Sequence, residues 1–315
     1  MMLPATSLRL LLLVPLGLLA LVFIVVLIKG LVRLRDSQSH ASRGQGRIWP
    51  PSWKELSAGF VTSFFDTLGI GSFATTTALF RGWRLVPDEL IPGTLNVGHT
   101  MSAVLAAFIF IQLVPVATTT LVPMIVASML GAWLGAGVVS RLPRRRIRLG
   151  MGMALLAASG LLLLTVTGRL PLGGDALGLS GPQLATAVAG NFVFGALMTL
   201  GIGLYAPCMI LISLLGMNPV AAFPIMMGSC AYLMTISSAR FVRSARYSAS
   251  AALGLTLGGV PALLLAAFVV KSLPITAVRW LVVVVVAYTG TMLLRAGIAE
   301  RVPKNAILAS NQPQR

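Results

Sequence analysis

Long apolar runs separated by short polar stretches dominate the pattern along this chain. The first run, residues 10–28, holds 19 residues without a charge, with Arg9 before it and Lys29 after it. Eight further apolar segments follow, at about 55–80, 90–114, 117–140, 147–168, 183–214, 219–240, 249–271 and 275–296. Because a helix needs about 20 apolar residues to cross a bilayer, the pattern predicts an all-α, polytopic membrane protein.

Composition excludes a soluble protein. Of the 315 residues, 57% are hydrophobic and only 10% are charged, whereas soluble chains carry about 25% charged residues. The net charge of +17 does not indicate a nucleic-acid partner, because the basic residues lie between apolar runs, where they orient a membrane protein. Cys208 and Cys230 lie inside apolar runs and form no disulfide or metal motif. We expect no cofactor and no metal site.

The N-terminal run predicts a helix that is kept rather than a cleaved signal peptide. Its positive charges follow the apolar stretch, and no small-residue cleavage site is present. We therefore divide the chain into an N-terminal membrane helix (1–34), a basic linker (35–54), two repeats (55–168 and 183–296) and a tail (297–315). The chain's N-terminus is expected outside the cell.

An internal repeat supports this division. The string TLGIG occurs at 67–71 and again at 199–203, an offset of 132. At that offset, eleven positions between 60 and 92 are identical, and they include Pro87 with Pro219 and Pro92 with Pro224. Two prolines kept in register predict a duplicated structural unit.

The distribution of basic residues predicts the topology. If all eight later segments crossed the membrane, 14 lysines and arginines would lie inside and 10 outside. If the first segment of each repeat enters and returns to the same side, 20 of the 24 lie inside and four outside, which fits the positive-inside rule better. Each repeat then has a broken re-entrant hairpin and three crossings. Three is an odd number, so the repeats are inverted and the C-terminus is cytoplasmic.

Paired glycines mark the predicted breaks. Gly69 and Gly71 interrupt the first segment of one repeat, and Gly201 and Gly203 interrupt that of the other. Interrupted segments at matching places in two halves indicate a transporter's binding site. Helix N-termini created by such breaks favour anions. The alternative is that these glycines only allow close helix packing.

Polar residues near the breaks complete the candidate substrate site. Their hydroxyl, amide and thiol groups could bind an oxyanion without adding charge, although a hydroxyl can instead bond to a carbonyl of its own helix. The candidate substrate-binding residues are Gly69, Gly71, Ser72, Thr75, Thr76, Thr94, Asn96, Gly201, Gly203, Tyr205, Cys208, Gly228 and Ser229.

Two ionisable residues lie inside apolar segments of the first repeat. Asp66 precedes the first break, and a carboxylate at membrane depth is costly unless it serves a function or has a partner. His99 has an imidazole whose ordinary pKa near 6.5 suits proton exchange. The hypothesis is that Asp66, His99 or both couple proton movement to transport. The alternative is that both are structural groups bonded to neighbouring amides and hydroxyls.

The chain resembles the TauE/SafE family of sulfite and organosulfonate exporters. The resemblance rests on the two GIG motifs, the prolines after them, the start of the next segment at Pro92, Gly93 and Thr94, and the duplicated layout. It covers about 55–296 and leaves the N-terminal helix outside. It implies a bacterial inner-membrane permease for small sulfur-containing anions.

The favoured function is a secondary transporter of a small anion, with no enzymatic activity. A cation or soft-metal permease, using Asp66, His99, Cys208 and nearby methionines, is one alternative. A non-transporting scaffold and an intramembrane enzyme built on Cys208 and His99 are others. The expected partners are the anion and membrane lipids, and both a monomer and a homo-oligomer are left open.

The topology makes a direct prediction. Cysteines placed in residues 81–89 should react with membrane-impermeant reagents only from the cytoplasmic side, because each re-entrant segment returns to the side it came from. Labelling of these positions from outside the cell would contradict the predicted topology.

Overall fold

A computed structural model describes residues 5–40, 49–139, 144–169, 174–198 and 204–299. Within these ranges the chain forms eleven α-helices and a short 3-10 turn at Pro219–Ala221. The helices are α1 (Ala5–His40), α2 (Trp53–Thr67), α3 (Ser72–Gly82), α4 (Ile91–Leu113), α5 (Thr118–Val139), α6 (Arg144–Val166), α7 (Gly181–Met198), α8 (Tyr205–Leu214), α9 (Ala222–Arg243), α10 (Ala249–Ser272) and α11 (Ile275–Ala299).

Six described helices are long and apolar enough to cross a membrane. They are α1, α4, α6, α9, α10 and α11, and α5 contributes a shorter apolar stretch at Thr118–Leu134. The described residues contain no β-strand. This confirms the prediction of an all-α, polytopic membrane protein.

The N-terminal helix is longer than the sequence suggested. It continues to His40, into the segment assigned to the linker, because residues 31–40 contain neither proline nor glycine to end it. Leu16 and Phe23 are fully buried in the bundle, and the Tyr232 hydroxyl of α9 donates a hydrogen bond to the carbonyl of Leu12. This helix is therefore packed against the body rather than separate from it.

At one end of the bundle, the start of α2 lies beside the starts of α4 and α10. The Ser250 hydroxyl donates to Glu55 Oε2 at 3.0 Å, and the amide of Ser248 donates to Thr94 Oγ1 at 2.9 Å. Phe80, near the end of α3, packs in the same apolar cluster as Ala58 of α2. We call this the basic end, because the described side chains around it include Lys54, Arg81, Arg84, Arg240, Arg243 and Arg246.

At the opposite end of the bundle, the start of α5 and the end of α8 lie beside residues 176 and 177, which precede α7. The amide of Ala117, just before α5, donates to Leu177 O at 2.7 Å, and the amide of Asn218, just after α8, donates to Ala176 O at 2.9 Å. Helix α4, with its 23 residues and a length of about 34 Å, separates the two ends. The α2–α3 pair therefore opens towards the basic end, and the α7–α8 pair opens towards the opposite end.

Helix pairs are exchanged between the halves. Helix α2 packs along α10, where Gly258 touches the carbonyl of Leu56, and α7 packs along α5, where Gly195 touches the carbonyl of Ser128. The correspondence predicted from the repeat maps α2 onto α7 and α10 onto α5. Each half thus supplies the long helix that supports the other half's interrupted pair.

This packing predicts a steric effect at Gly195. A Cβ atom there would overlap the Ser128 carbonyl oxygen, so Gly195→Ala should lower the free energy of unfolding by about 1–3 kcal/mol. Gly160→Ala is the matched control, since a Cβ at Gly160 of α6 meets nothing within 4 Å. Reversible unfolding in mixed micelles measures both. Equal stability of the two variants would contradict the close α5–α7 contact.

Candidate functional site

The first predicted break is present. Helix α2 ends at Thr67 and α3 begins at Ser72, and Gly69 and Gly71 between them have φ angles of +96° and +84°. L-residues with side chains rarely adopt this backbone, so glycine is required there. In the second half, α7 ends at Met198 and α8 begins at Tyr205. Gly201 and Gly203 lie outside the described residues.

Asp66 joins the two interrupted pairs. Its Oδ1 accepts a hydrogen bond of 2.6 Å from the Ser72 amide at the start of α3. Its Oδ2 accepts a longer bond of 3.4 Å from the hydroxyl of Tyr205, in the first turn of α8. We call this meeting of residues 66–72 with residues 204–209 the tip contact.

Apolar and sulfur-containing side chains close the tip contact. The Tyr205 hydroxyl also lies 3.2 Å from Met227 Sδ of α9. A Cβ on Gly69 would lie 2.8 Å from Met209 Sδ of α8. The Asp66 carboxylate therefore accepts from Ser72 and from the Tyr205 hydroxyl, beside these apolar and sulfur-containing side chains.

The N-terminus of α3 is thus already occupied by an anionic group of the chain itself. Ser72, one of the predicted substrate-binding residues, binds the Asp66 carboxylate through its amide. Negative charge is favourable at that position because amide donors and the helix dipole both point towards it.

His99 lies next to this first pair. Its Nδ1 is 3.3 Å from Ser63 Oγ of α2, and its Nε2 is 3.1 Å from Thr76 Oγ1 of α3. The single Thr76 hydroxyl proton is donated to the carbonyl of Ser72 at 2.7 Å. With Thr76 donating to that carbonyl, His99 Nε2 donates to Thr76, and in a neutral imidazole Nδ1 accepts from Ser63. This arrangement satisfies a neutral imidazole.

These contacts form one hydrogen-bonded chain across four helices. It starts on α2, passes through α4 to α3, returns to α2 through the backbone of Ser72 and ends on α8. Its members, in order, are Ser63, His99, Thr76, Ser72, Asp66 and Tyr205. The two ionisable residues singled out from the sequence belong to this single network.

Most of the other predicted site residues lie away from the tip contact. Thr75 stays at the first tip, where its hydroxyl donates to Ser72 O at 2.8 Å. Thr94 lies at the basic end, and Asn96 accepts a bond of 2.8 Å from the Ser237 hydroxyl of α9. The structure does not bring Thr94 and Asn96 to the tip contact, because α4 begins at the basic end and reaches the first pair only further along, at His99.

Gly228 and Ser229 face a different contact, between α5, α7 and α9. Asn191 of α7 donates from Nδ2 to the Met124 carbonyl at 2.6 Å and to Ser229 Oγ at 3.3 Å. Asn191 is fully buried and was not singled out from the sequence. An amide side chain in the middle of an apolar segment was the signal that could have found it. Cys208 lies fully buried in α8, in the same turn as Tyr205.

The described residues bear on two of the alternative sites. No three His, Cys, Asp or Glu side chains among them lie together as metal ligands. Cys230 Sγ is 3.9 Å from Met198 Sδ, a contact between two sulfur atoms. Both nitrogens of His99 are engaged by Ser63 and Thr76, so the proposed pairing of His99 with Cys208 is not formed.

Comparison with known protein families identifies the chain. A family model, described as the sulfite exporter TauE/SafE, matches residues 1–162, slightly more than half of the 315 residues. The chain belongs to the TauE/SafE sulfite exporter family. It is therefore a multi-pass membrane permease. The match includes α1, which the motif resemblance had left outside, and it ends within α6. Searches of curated proteins and of solved structures found no match.

The first break predicts a specific mutational effect. Gly71→Ala should lower stability by about 1–3 kcal/mol through backbone strain alone, because φ is +84° and a Cβ meets nothing within 4 Å. Gly82→Ala, at the end of the same helix and also open to a Cβ, is the control and should leave stability nearly unchanged. Unfolding in micelles measures both. A Gly71→Ala protein as stable as the control would show that α2 and α3 are not broken there.

Proposed function

We propose that this TauE/SafE member is a secondary transporter that moves a small anion by alternating access. The solute is a sulfur-containing oxyanion or organosulfonate, and it binds at the tip contact. The observation that carries the proposal is that two interrupted helix pairs, opening towards opposite ends, meet through Asp66 and Tyr205.

Helix breaks inside a membrane need protein or water around them, since lipid cannot satisfy free amides and carbonyls. The first break lies about 22 Å along from the start of α2, within a bundle about 34 Å long. Its positive-φ glycines therefore create helix ends at depth. A solute reaching this point from one end or the other would pass between the tips, as alternating access requires.

The Asp66 carboxylate gives this site a means of coupling. A solute anion would require the same donors, the Ser72 amide and the Tyr205 hydroxyl. Two negative charges cannot share them in an apolar contact, so the carboxylate must take up a proton or move away. His99, three hydrogen bonds away from Asp66 through the backbone of Ser72 and the hydroxyl of Thr76, is the next group able to carry a proton.

The orientation follows from the distribution of charge. We place the basic end in the cytoplasm and the membrane as the bacterial inner membrane, with the N-terminus outside and the C-terminus inside. The Arg145 side chain donates to the carbonyl of Gly297, which supports a common end for the start of α6 and the close of α11. The exchanged pairing of α2 with α10 and α7 with α5 supports inverted repeats over 55–168 and 183–296.

Asp66→Asn is the decisive variant for coupling. In proteoliposomes, the unaltered chain should transport sulfite or methanesulfonate faster when a pH gradient is imposed. Asp66→Asn should retain downhill exchange, since the amide removes the competing charge, but should lose the acceleration by the gradient. Radiolabelled solute flux with and without the gradient measures both.

Asp88→Asn is the matched control. Asp88 is an exposed aspartate of the first repeat that pairs with Arg81 at 3.0 Å, far from the tip contact. It should behave like the unaltered chain. Full gradient response in Asp66→Asn would overturn the coupling role. Absence of flux with every sulfur-containing anion, in the unaltered chain, would overturn the function.

A further inference from the structure

A small cavity lies at the opposite end, away from the tip contact. Its volume is about 60 Å³, and helices α6, α8 and α11 enclose it. Most of its wall is apolar, and among the described lining residues Arg279 is the one with a charge. The residues that matter for its chemistry are Leu162, Thr165, Ser213, Met217, Pro219 and Arg279.

Arg279 is an unusual residue for its place. It belongs to the apolar stretch Thr276–Ala299, which is long enough to cross the membrane, and 39% of its side chain is exposed. Charged residues in such stretches are costly and generally serve a pathway or a partner. Its present partner is Asp175, whose Oδ1 accepts from Nη2 at 2.8 Å.

This ion pair leaves the guanidinium available to other anions. Asp175 is 78% exposed, and exposed ion pairs contribute little net stability. An arginine has five N–H donors in a planar fork that matches an oxyanion. The hydroxyls of Thr165 and Ser213 donate to carbonyls of their own helices, so the guanidinium is the group that would hold an anion.

A corresponding cavity lies at the basic end. Its volume is about 470 Å³, and it is lined around the end of α3 and the loop that follows, including Arg84 and Pro87. Pro87 matches Pro219 of the other cavity at the repeat offset. This cavity also holds an arginine–aspartate pair, Arg81 with Asp88 at 3.0 Å. An arginine–aspartate pair thus lies at each cavity, although Arg81 and Asp88 do not match Arg279 and Asp175 at the repeat offset.

We propose that Arg279 anchors an oxyanion-binding site at the end opposite the basic end, where a bound oxyanion takes the place of Asp175 on the guanidinium. The shared chemistry is a sulfonate, sulfite or phosphate group. That the occupant is the transported solute rests on the proposed function, whereas a lipid headgroup phosphate would use the same donors.

Equilibrium binding of radiolabelled methanesulfonate to the purified full-length chain tests the proposal. In neutral detergent, the unaltered chain should bind at two sites, the tip contact and Arg279. Arg279→Gln should lose one of them, and Arg279→Lys should weaken it by about tenfold, since the fork is lost. Arg169→Gln removes the same charge from an exposed arginine of the same end and should bind as the unaltered chain does.

Asp175→Asn provides an independent measurement. Removing the internal competitor should tighten the Arg279-dependent site several-fold, whereas a purely structural ion pair would show no tightening. Repeating the titration in nanodiscs separates the two sources of the oxyanion. Loss of this site in phosphatidylglycerol but not in phosphatidylcholine assigns it to the phosphate of an anionic lipid headgroup, and retention in both assigns it to free solute.

The outcomes separate this site from the proposed function. Arg279→Gln binding that equals Arg169→Gln binding, together with an unaffected Asp175→Asn, would overturn the Arg279 site. A single site that disappears in Arg279→Gln would support Arg279 and count against binding at the tip contact.

Discussion

The structure depends on how the backbone amides and carbonyls of a broken helix find hydrogen-bond partners inside a membrane. Between Thr67 and Ser72 the backbone leaves the helix, and lipid offers nothing to the amides freed there. The Asp66 carboxylate provides the partner, binding the Ser72 amide at 2.6 Å. Because this carboxylate also receives the Tyr205 hydroxyl, the group that stabilises one break also holds the other interrupted pair against it. Local backbone chemistry and long-range packing are thus joined at a single side chain.

This junction explains why the two halves depend on each other. Each interrupted pair is supported by a long helix of the opposite half, α10 for the first and α5 for the second. Glycines at these contacts allow backbones to touch, as Gly258 does at Leu56 and Gly195 does at Ser128. A movement that separates the tips must therefore involve both halves, which is the property an alternating-access permease needs.

Sequence patterns predicted the elements better than their contacts. The all-α membrane fold followed from apolar run lengths, and the first break from Gly69 and Gly71, since only glycine tolerates those φ angles. Contacts between helices depend on which faces meet, and one chain's periodicity does not contain that information. Thr94 and Asn96 were therefore grouped with the first tip, although they lie in the first turns of α4, at the basic end. Ser63 and Asn191 were missed, because isolated polar residues in apolar segments resemble ordinary self-satisfied side chains until their partners are known.

The most direct test of the account is whether a solute protects the tip contact. Ser72 is buried in the closed tip contact, so a Ser72→Cys chain, with Cys208 and Cys230 replaced by serine, should react with a small membrane-impermeant thiol reagent only as the tips separate, and saturating methanesulfonate should slow the reaction. Ser244→Cys, exposed at the basic end, should react equally fast with and without the anion. Slower labelling at Ser72 alone is the predicted result. Labelling of Ser72→Cys that methanesulfonate does not change would contradict anion binding where the two interrupted pairs meet.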